Sequence, residues 1–405
     1  MVAVGSYLLL SLTILATVPV MMFVLEVFAA IFFARRSPSQ SGLPWGPSGV
    51  VILIPAHNES GGIASTLNNI IPQLPTGARI LVVADNCTDD TRAIAASTGV
   101  DVVERQDPRL RGKGYALDFG IRHLTANPPG ILIVVDADCR FSQGSIATLS
   151  SICQAASRPV QALNLMTAPD DQPEAFQFAE FAWRIKNWIR PLGLSALHLP
   201  CQLTGTGMAF PWEVIQSASL ASGEIVEDLK LGLELALKGN PPLFCPAACV
   251  VSHFPSTQKG SDSQRQRWER GHLNMILRDT PRLFWNSLAS GNFRAMFLTL
   301  DLAVPPLFLL VMIEFAIFLS SGLAIWIGMS PLSLYVAATA LVAFAISVLL
   351  CWTAFGRDVL PGTKLLTFPM LLVKKLTFYR RLLAGSSAPP QWVRADRSKS
   401  DSPEN

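Results

Sequence analysis

The stretch GILIVVDADC, residues 130–139, runs five apolar residues into two aspartates one residue apart. An apolar, β-branched run without alternation reads as a strand buried on both faces. Asp136 and Asp138 close its C-terminal end. Earlier segments repeat the plan. GVVILIPAHNE (49–59), ARILVVADNCTDDT (78–91) and VDVVERQ (100–106) read as strands that end in polar residues. Between them, ESGGIASTLNNIIPQL (59–74), TRAIAASTG (91–99) and GKGYALDFGIRHL (112–124) carry helical spacing. Strands alternating with helices predict a parallel α/β sheet. The polar clusters fall just past the strand ends, the edge where open α/β sheets bind ligands.

The next part is more mixed. FAEFAWRIKNWIRPLGL (178–194) reads as an aromatic amphipathic helix, and CQLTGTGMAFP (201–211) as a Gly-rich loop entering a short strand. EIVEDLKLGLELALKG (224–239) reads as a helix closed by Gly239, and PPLFCPAACVVSHF (241–254) as a strand pair or one long strand. SDSQRQRWERGHLNMILRD (261–279) reads as an Arg-carrying helix.

Outward from this middle the chain turns apolar. Half of its 405 residues are hydrophobic and 15% are charged, against a usual charged share of about 25%. Residues 7–25, 302–327 and 332–355 are each close to or above the roughly 20 residues that cross a hydrocarbon core. They predict one membrane helix before the soluble middle and two after it. The start, MVAVGSY, lacks the positive region of a signal peptide. Arg35 and Arg36 follow the first span, and Arg357, Lys364, Lys374, Lys375, Arg380 and Arg381 follow the last. The positive-inside rule puts the middle and the C-terminus in the cytoplasm, at the cell (inner) membrane. PRLFWNSLASGNFRAMFLTL (281–300) and residues 360–385 read as interfacial amphipathic helices, and 37–48 and 394–405 as a linker and a disordered tail. Glu26 falls near the cytoplasmic end of a span and is expected to reach the interface. Glu314 lies deeper and calls for a polar partner or a function. A net charge of +3, with cations clustered beside the membrane, suggests anionic lipid rather than nucleic acid. The seven cysteines are scattered, and Cys245 and Cys249 lack zinc-ligand spacing.

Several groups can carry chemistry. In a strand, Asp136 and Asp138 point the same way and repel unless a cation sits between them. A hard ion, Mg²⁺ or Mn²⁺, binds such carboxylates and fills its other sites with phosphate oxygens. The plain alternative is a pair of solvated aspartates at a turn. Asp85 can accept from a base N–H, while Asp89 or Asp90 suits the cap of the next helix. Arg111 and Lys113 stand between glycines ahead of a helix, a phosphate-compatible loop. Glu227 and Asp228 open a helix, where acidic residues offset the dipole, and Asp228 can also act as a general base. Arg265, Arg267 and Trp268 suit phosphate and a sugar face, or simply a juxtamembrane helix.

In order, PAHNE (55–59), ADNCTDD (84–90), RGKGYAL (111–117), VDADC (135–139), GTGMAF (205–210), VED (226–228) and QRQRW (264–268) form a series. That series resembles the inverting glycosyltransferases of family 2, the group of cellulose, chitin and hyaluronan synthases and ceramide glucosyltransferase. The resemblance covers roughly residues 50–272. It implies an α/β GT-A fold, a Rossmann-like sheet binding a nucleotide sugar, usually UDP-linked, with three transmembrane helices and interfacial helices around it. It implies Asp228 as catalytic base and Pro55, Glu59, Asp85, Lys113, Asp136 and Arg267 on the donor. It implies Gly205, Thr206, Gly207, Glu227, Gln264 and Trp268 on the acceptor side, and Asp138 with Asp136 on the metal. Val226 stands where the family pattern has Thr. The domain plan is a membrane helix in 1–36, a cytoplasmic GT-A domain in 37–278 and an interfacial helix in 279–301. Two membrane helices follow in 302–356, then an interfacial helix and tail in 357–405. The expected partners are a UDP-sugar, a lipid-linked or glycan acceptor, membrane lipids and, in a homo-oligomer, a second copy. A processive polysaccharide synthase, an inactive scaffold of transferase fold and a nucleotidyltransferase are the competing readings.

Overall fold

The computed structural model describes residues 2–33, 49–168, 174–221, 223, 226–255, 257–368, 370–371, 375–376 and 378–379. The expected linker, the tail, and Arg35, Arg36, Lys374, Arg380 and Arg381 lie outside them. The chain divides into two units. One comprises Met1–Ser37, Pro173–Leu199 and His272–Ser387; the other comprises Pro38–Gln172, Pro200–Gly271 and Ala388–Asn405.

In chain order the helices are α1 (Val2–Phe32), α2 (Ile63–Ile70), α3 (Thr91–Ser97), α4 (Lys113–Leu124), α5 (Ser145–Ala156), α6 (Glu174–Arg184) and α7 (Arg190–Ala196). Then come α8 (Trp212–Ile215), α9 (Glu227–Leu237), α10 (Gln258–Arg278), α11 (Thr280–Ala289), α12 (Phe293–Leu302), α13 (Leu307–Trp326) and α14 (Leu332–Phe355). The strands are β1 (Val50–Ala56), β2 (Arg79–Asp85), β3 (Asp101–Arg105), β4 (Ile131–Val134), β5 (Arg140–Phe141), β6 (Val160–Thr167), β7 (Met208–Pro211) and β8 (Leu243–His253).

The described strands form one sheet in the order β3-β2-β1-β4-β7-β6-β8-β5. From β3 to β4 it is parallel, as expected. The far half is mixed: β7 runs antiparallel to β4 and β6, while β6 and β8 are parallel. The reason for the unbroken apolar runs is visible in the packing. Val50, Ile52 and Ile54 of β1 join a cluster with α2 and α5, while Val51 and Leu53 join another with α4 and α9. β2 and β4 divide their residues the same way. Each such side chain, buried at a helix-covered face, contributes about 1.5–3 kcal/mol. Pro55 fits this central strand without an orphaned partner. Val135 N–H donates to Leu53 O at 3.1 Å, so Leu53, and by alternation Pro55, face the β4 side. The β4 ladder has already ended there, at Val134.

In the other unit, α1, α13 and α14 are long and apolar enough to cross a membrane. The first extends beyond the expected residues 7–25 to Val2–Phe32. Many of their large apolar side chains, Leu8, Leu12, Leu15, Leu319, Leu323 and Leu349 among them, are exposed. That is how a lipid-facing surface looks. Inside, Phe23 meets Phe344 at 5.4 Å between ring centroids, and Ala337, Ala340 and Ser347 of α14 keep the contact close. The segment expected as one interfacial helix over 281–300 is two, α11 and α12, separated where Gly291 takes a φ of +66°. The expected helix over 178–194 is α6 and α7 joined by a π-turn at Ile185–Ile189.

Glu26 corrects its expectation. It does not reach an aqueous interface but is fully buried and bonded to Arg190. Glu314 is also fully buried, and neither of its carboxylate oxygens has a hydrogen-bond partner among the described residues.

Candidate active site

The C-terminal ends of β1, β2, β3 and β4 share one edge, because the registers pair Ala56 with Ala84 and Asp85 with Arg105. Asp85 is 6% exposed. Its Oδ1 accepts from Arg105 Nη1 at 2.6 Å and from Asn86 Nδ2 at 3.1 Å. Arg105 Nη2 donates to Leu110 O at 2.9 Å, and its guanidinium lies 5.5 Å over the Tyr115 ring. Glu59 N–H donates to Thr91 Oγ1 at 2.7 Å, fixing the PAHNE turn against the start of α3. Of the two candidate caps, Asp89 serves. Its carboxylate accepts from Thr91 N–H at 3.0 Å and Ser60 N–H at 3.1 Å. Although partial burial opposes it, the hydrogen bonds from Thr91 and Ser60 hold this carboxyl down at about 2.

Asp136 and Asp138 lie just past β4, in a turn closed by Cys139 N–H donating to Asp136 O at 3.1 Å. The turn, rather than strand alternation, brings them together. One ligand atom from each of Asp136, Asp138 and Cys139 falls within 4.8 Å of the others. Burial, then Asp138 and Asp136, push the Cys139 thiol well above its usual range. The two carboxylates supply oxygen donors, which fit a hard divalent ion.

Lys113, at the start of α4, points its ammonium into this turn. Nζ lies 2.5 Å from Asp136 Oδ1 and donates to Gly205 O at 2.6 Å. Burial opposes its charge, but Asp136, Glu227 and Asp228 outweigh that and raise the ammonium above its usual range. A Cβ added at Gly205, whose φ is +84°, would meet Asp228 Oδ2 and Lys113 Nζ, each at 3.4 Å. So α4, α9 and the 205–207 loop converge on one point. Thr206 Oγ1 accepts from Asp136 N–H at 3.1 Å, and Gly207 O accepts from Ala162 N–H at 2.8 Å. Burial and the neighbouring Asp228 push Glu227 up to about 8, although Lys113 pulls the other way.

The loop expected on the acceptor side thus also braces the Asp136 turn. Its own support came from residues that the sequence did not single out. Gln161 of β6 donates to Thr206 O at 2.9 Å and accepts from Thr204 N–H at 2.9 Å, and Asn164 Nδ2 reaches Thr204 O at 3.2 Å. Two amides inside the apolar run VQALNLMT were the available signal. Gln264, Arg267 and Trp268 sit at i, i+3 and i+4 on α10, on one side of the helix, all half-buried. Burial lowers the Arg267 guanidinium from its usual value.

Residues 47–271 match the family described as "Glycosyltransferase like family 2". The chain belongs to that family. Within it, a 116-residue segment is 34% identical to 4,4'-diaponeurosporenoate glycosyltransferase of Staphylococcus aureus (strain MRSA252). That segment is 28% of this chain and 30% of the relative's length. A mannosyltransferase of Pyrobaculum calidifontis, solved with GDP-Man and Mn²⁺, is 17% identical with a TM-score of 0.53. The likeness covers 93% of this chain and 97% of that one, and gives this family 2 chain a GT-A-like fold. All seven of its cysteines are free thiols, in keeping with the scattered spacing.

Proposed function

We propose that the protein is a membrane-bound inverting glycosyltransferase. It moves a sugar from a nucleotide sugar, UDP-linked in our reading, to a lipid-linked or polysaccharide acceptor at the cytoplasmic leaflet. The observation that carries this is the convergence of Lys113, Asp136, Gly205 and Asp228 at one sheet edge in a family 2 chain. Membership of the family and the GT-A-like fold support the donor class. The apolar α1, α13 and α14 support the membrane setting, and cations flanking the spans support cytoplasmic catalysis.

In this reading the Pro55–Glu59 turn and Asp85 hold the nucleoside end of the donor. Lys113 and Arg267 hold the diphosphate, Lys113 as a point charge and Arg267 as a fork. Asp138, with Asp136, would hold Mg²⁺ or Mn²⁺, which supplies charge neutralisation for the departing diphosphate. Asp228 takes the proton of the acceptor hydroxyl, which attacks the anomeric carbon opposite the leaving group. One displacement inverts the centre. Glu227 stands beside Asp228 on the acceptor side, and Asp228 keeps the base role. Gly205, Thr206, Gly207, Gln264 and Trp268 border the acceptor. A cytoplasmic GT-A domain in 37–278 and interfacial segments in 279–301 and 357–405 complete the arrangement. Three spans make a poor channel, which favours addition of one or a few sugars over processive synthesis.

The test is Asp228→Asn in the full-length protein. UDP binding is expected to stay within about twofold, while transfer falls by 10² or more, roughly the share of a positioned base. Near-normal turnover in that variant would remove Asp228 from the base role. The donor panel should include GDP-mannose, since the Pyrobaculum calidifontis mannosyltransferase was solved with GDP-Man.

A further inference from the structure

Arg190 begins α7 and is buried, with 9% of its side chain exposed. Its Nε donates to Glu26 Oε2 at 2.5 Å. Its Nη2 donates to Asp301 Oδ1 at 2.5 Å and to Asp301 O at 2.9 Å. One guanidinium therefore ties α7 to α1 and to the end of α12. Gly193 lies one turn further along α7. A Cβ there would fall 1.9 Å from the Glu26 carbonyl oxygen, so the α7 and α1 backbones touch at this residue. That approach is what lets Arg190 reach Glu26. Beside it, His272 Nε2–H donates to Leu302 O at 2.8 Å and ties α10 to α12.

A buried ion cluster of this kind adds little stability over apolar packing, and its best-attested use is to fix the register of packed elements. Chain connectivity gives that register a consequence. α7 ends at Ala196, and nine residues later the chain reaches Gly205. α10 is one helix that carries Gln264, Arg267 and Trp268 and, four residues on, His272.

We infer that Arg190 is a positioning residue for the transfer reaction. By clamping α7 and α12 to the Glu26 end of α1, it sets the register of two segments. One leads into the Gly205–Thr206 loop, and the other leads out of the Arg267 helix. α1 is then more than an anchor. The inference rests on the transferase reading.

The experiment uses the full-length protein in nanodiscs with the nucleotide sugar that the wild type turns over. UDP release, affinity for UDP with Mn²⁺, and thermal midpoint are measured for Arg190→Met, Arg190→Lys and Glu26→Gln. Arg190→Met and Glu26→Gln are each expected to lower kcat about tenfold or more, the scale of misplaced reacting groups. UDP affinity per folded molecule stays within about twofold, and Arg190→Lys recovers part of kcat. Should Arg190→Met fail to fold, Glu26→Gln, which keeps the volume, carries the same expectation. Wild-type kcat per folded molecule in both variants, or equal loss of kcat and UDP affinity, overturns the inference. A wild type that turns over no nucleotide sugar would instead overturn the transferase reading beneath it.

Discussion

At the scale of single residues, the sheet edge that carries Asp85 depends on a charge pair that neither partner reveals alone. Asp85 is buried, and its Oδ1 is held by Arg105 at 2.6 Å. Removing the guanidinium leaves a buried carboxylate with one neutral donor, Asn86. Arg105→Met is expected to cost about 3–5 kcal/mol, the usual price of breaking a buried pair from one side. Chemical unfolding of the purified protein reads it, and the double change Arg105→Met with Asp85→Asn should recover much of the loss. An Arg105→Met protein as stable as wild type would show that the pair is not the support of this edge. Asp85 was legible in the sequence because it closes a β-branched run. Arg105 was not, because it lies 20 residues away and reaches Asp85 only through the parallel register of β2 and β3. Asp136 and Asp138 were legible as a pair, but the turn that joins them was read as strand.

At the scale of elements, the parallel half of the sheet was legible because each strand there is a local apolar run with its helix following in sequence. The mixed half was not. β6 was passed over, since Gln161 and Asn164 interrupt its apolar pattern, yet those two amides hold the 204–207 loop. A buried polar side chain in a strand signals a partner elsewhere, and sequence alone does not say where. The start of α3 gives a sharper test. Asp89, not Asp90, makes the capping bond, to the N–H of Thr91, and also accepts from the Ser60 N–H across from it. Asp89→Ala should lower stability by about 1 kcal/mol, with Asp90→Ala well below that. Thermal midpoints of the two variants decide it, and equal losses would contradict the assignment.

At the scale of the whole molecule, three long apolar helices could be read from length and composition. The ion cluster inside their unit could not, because Glu26 and Arg190 are 164 residues apart. Its neighbour His272 should show in the pH dependence of stability. Burial first, then Lys186 and Arg190, lower this imidazole to about 4, against the opposing pull of Leu302 O and Asp301. The folded state favours the neutral ring. That contribution is complete above about pH 6.5, the free value, and is lost as the pH falls toward 4, where the unfolded chain takes up the proton first. The thermal midpoint should therefore fall over that window in the wild type and fall less in His272→Gln. Equal slopes would assign the loss to other groups.

In the proposed reaction, carboxylates at the end of β4 hold the cation under a departing nucleoside diphosphate. The decisive measurement is UDP or GDP release from a panel of nucleotide sugars, with Mn²⁺ and with EDTA, for wild type and Asp138→Asn in nanodiscs. Release that requires Mn²⁺ and collapses in Asp138→Asn is the expected result. Release that persists in EDTA, or that Asp138→Asn leaves intact, would contradict the account.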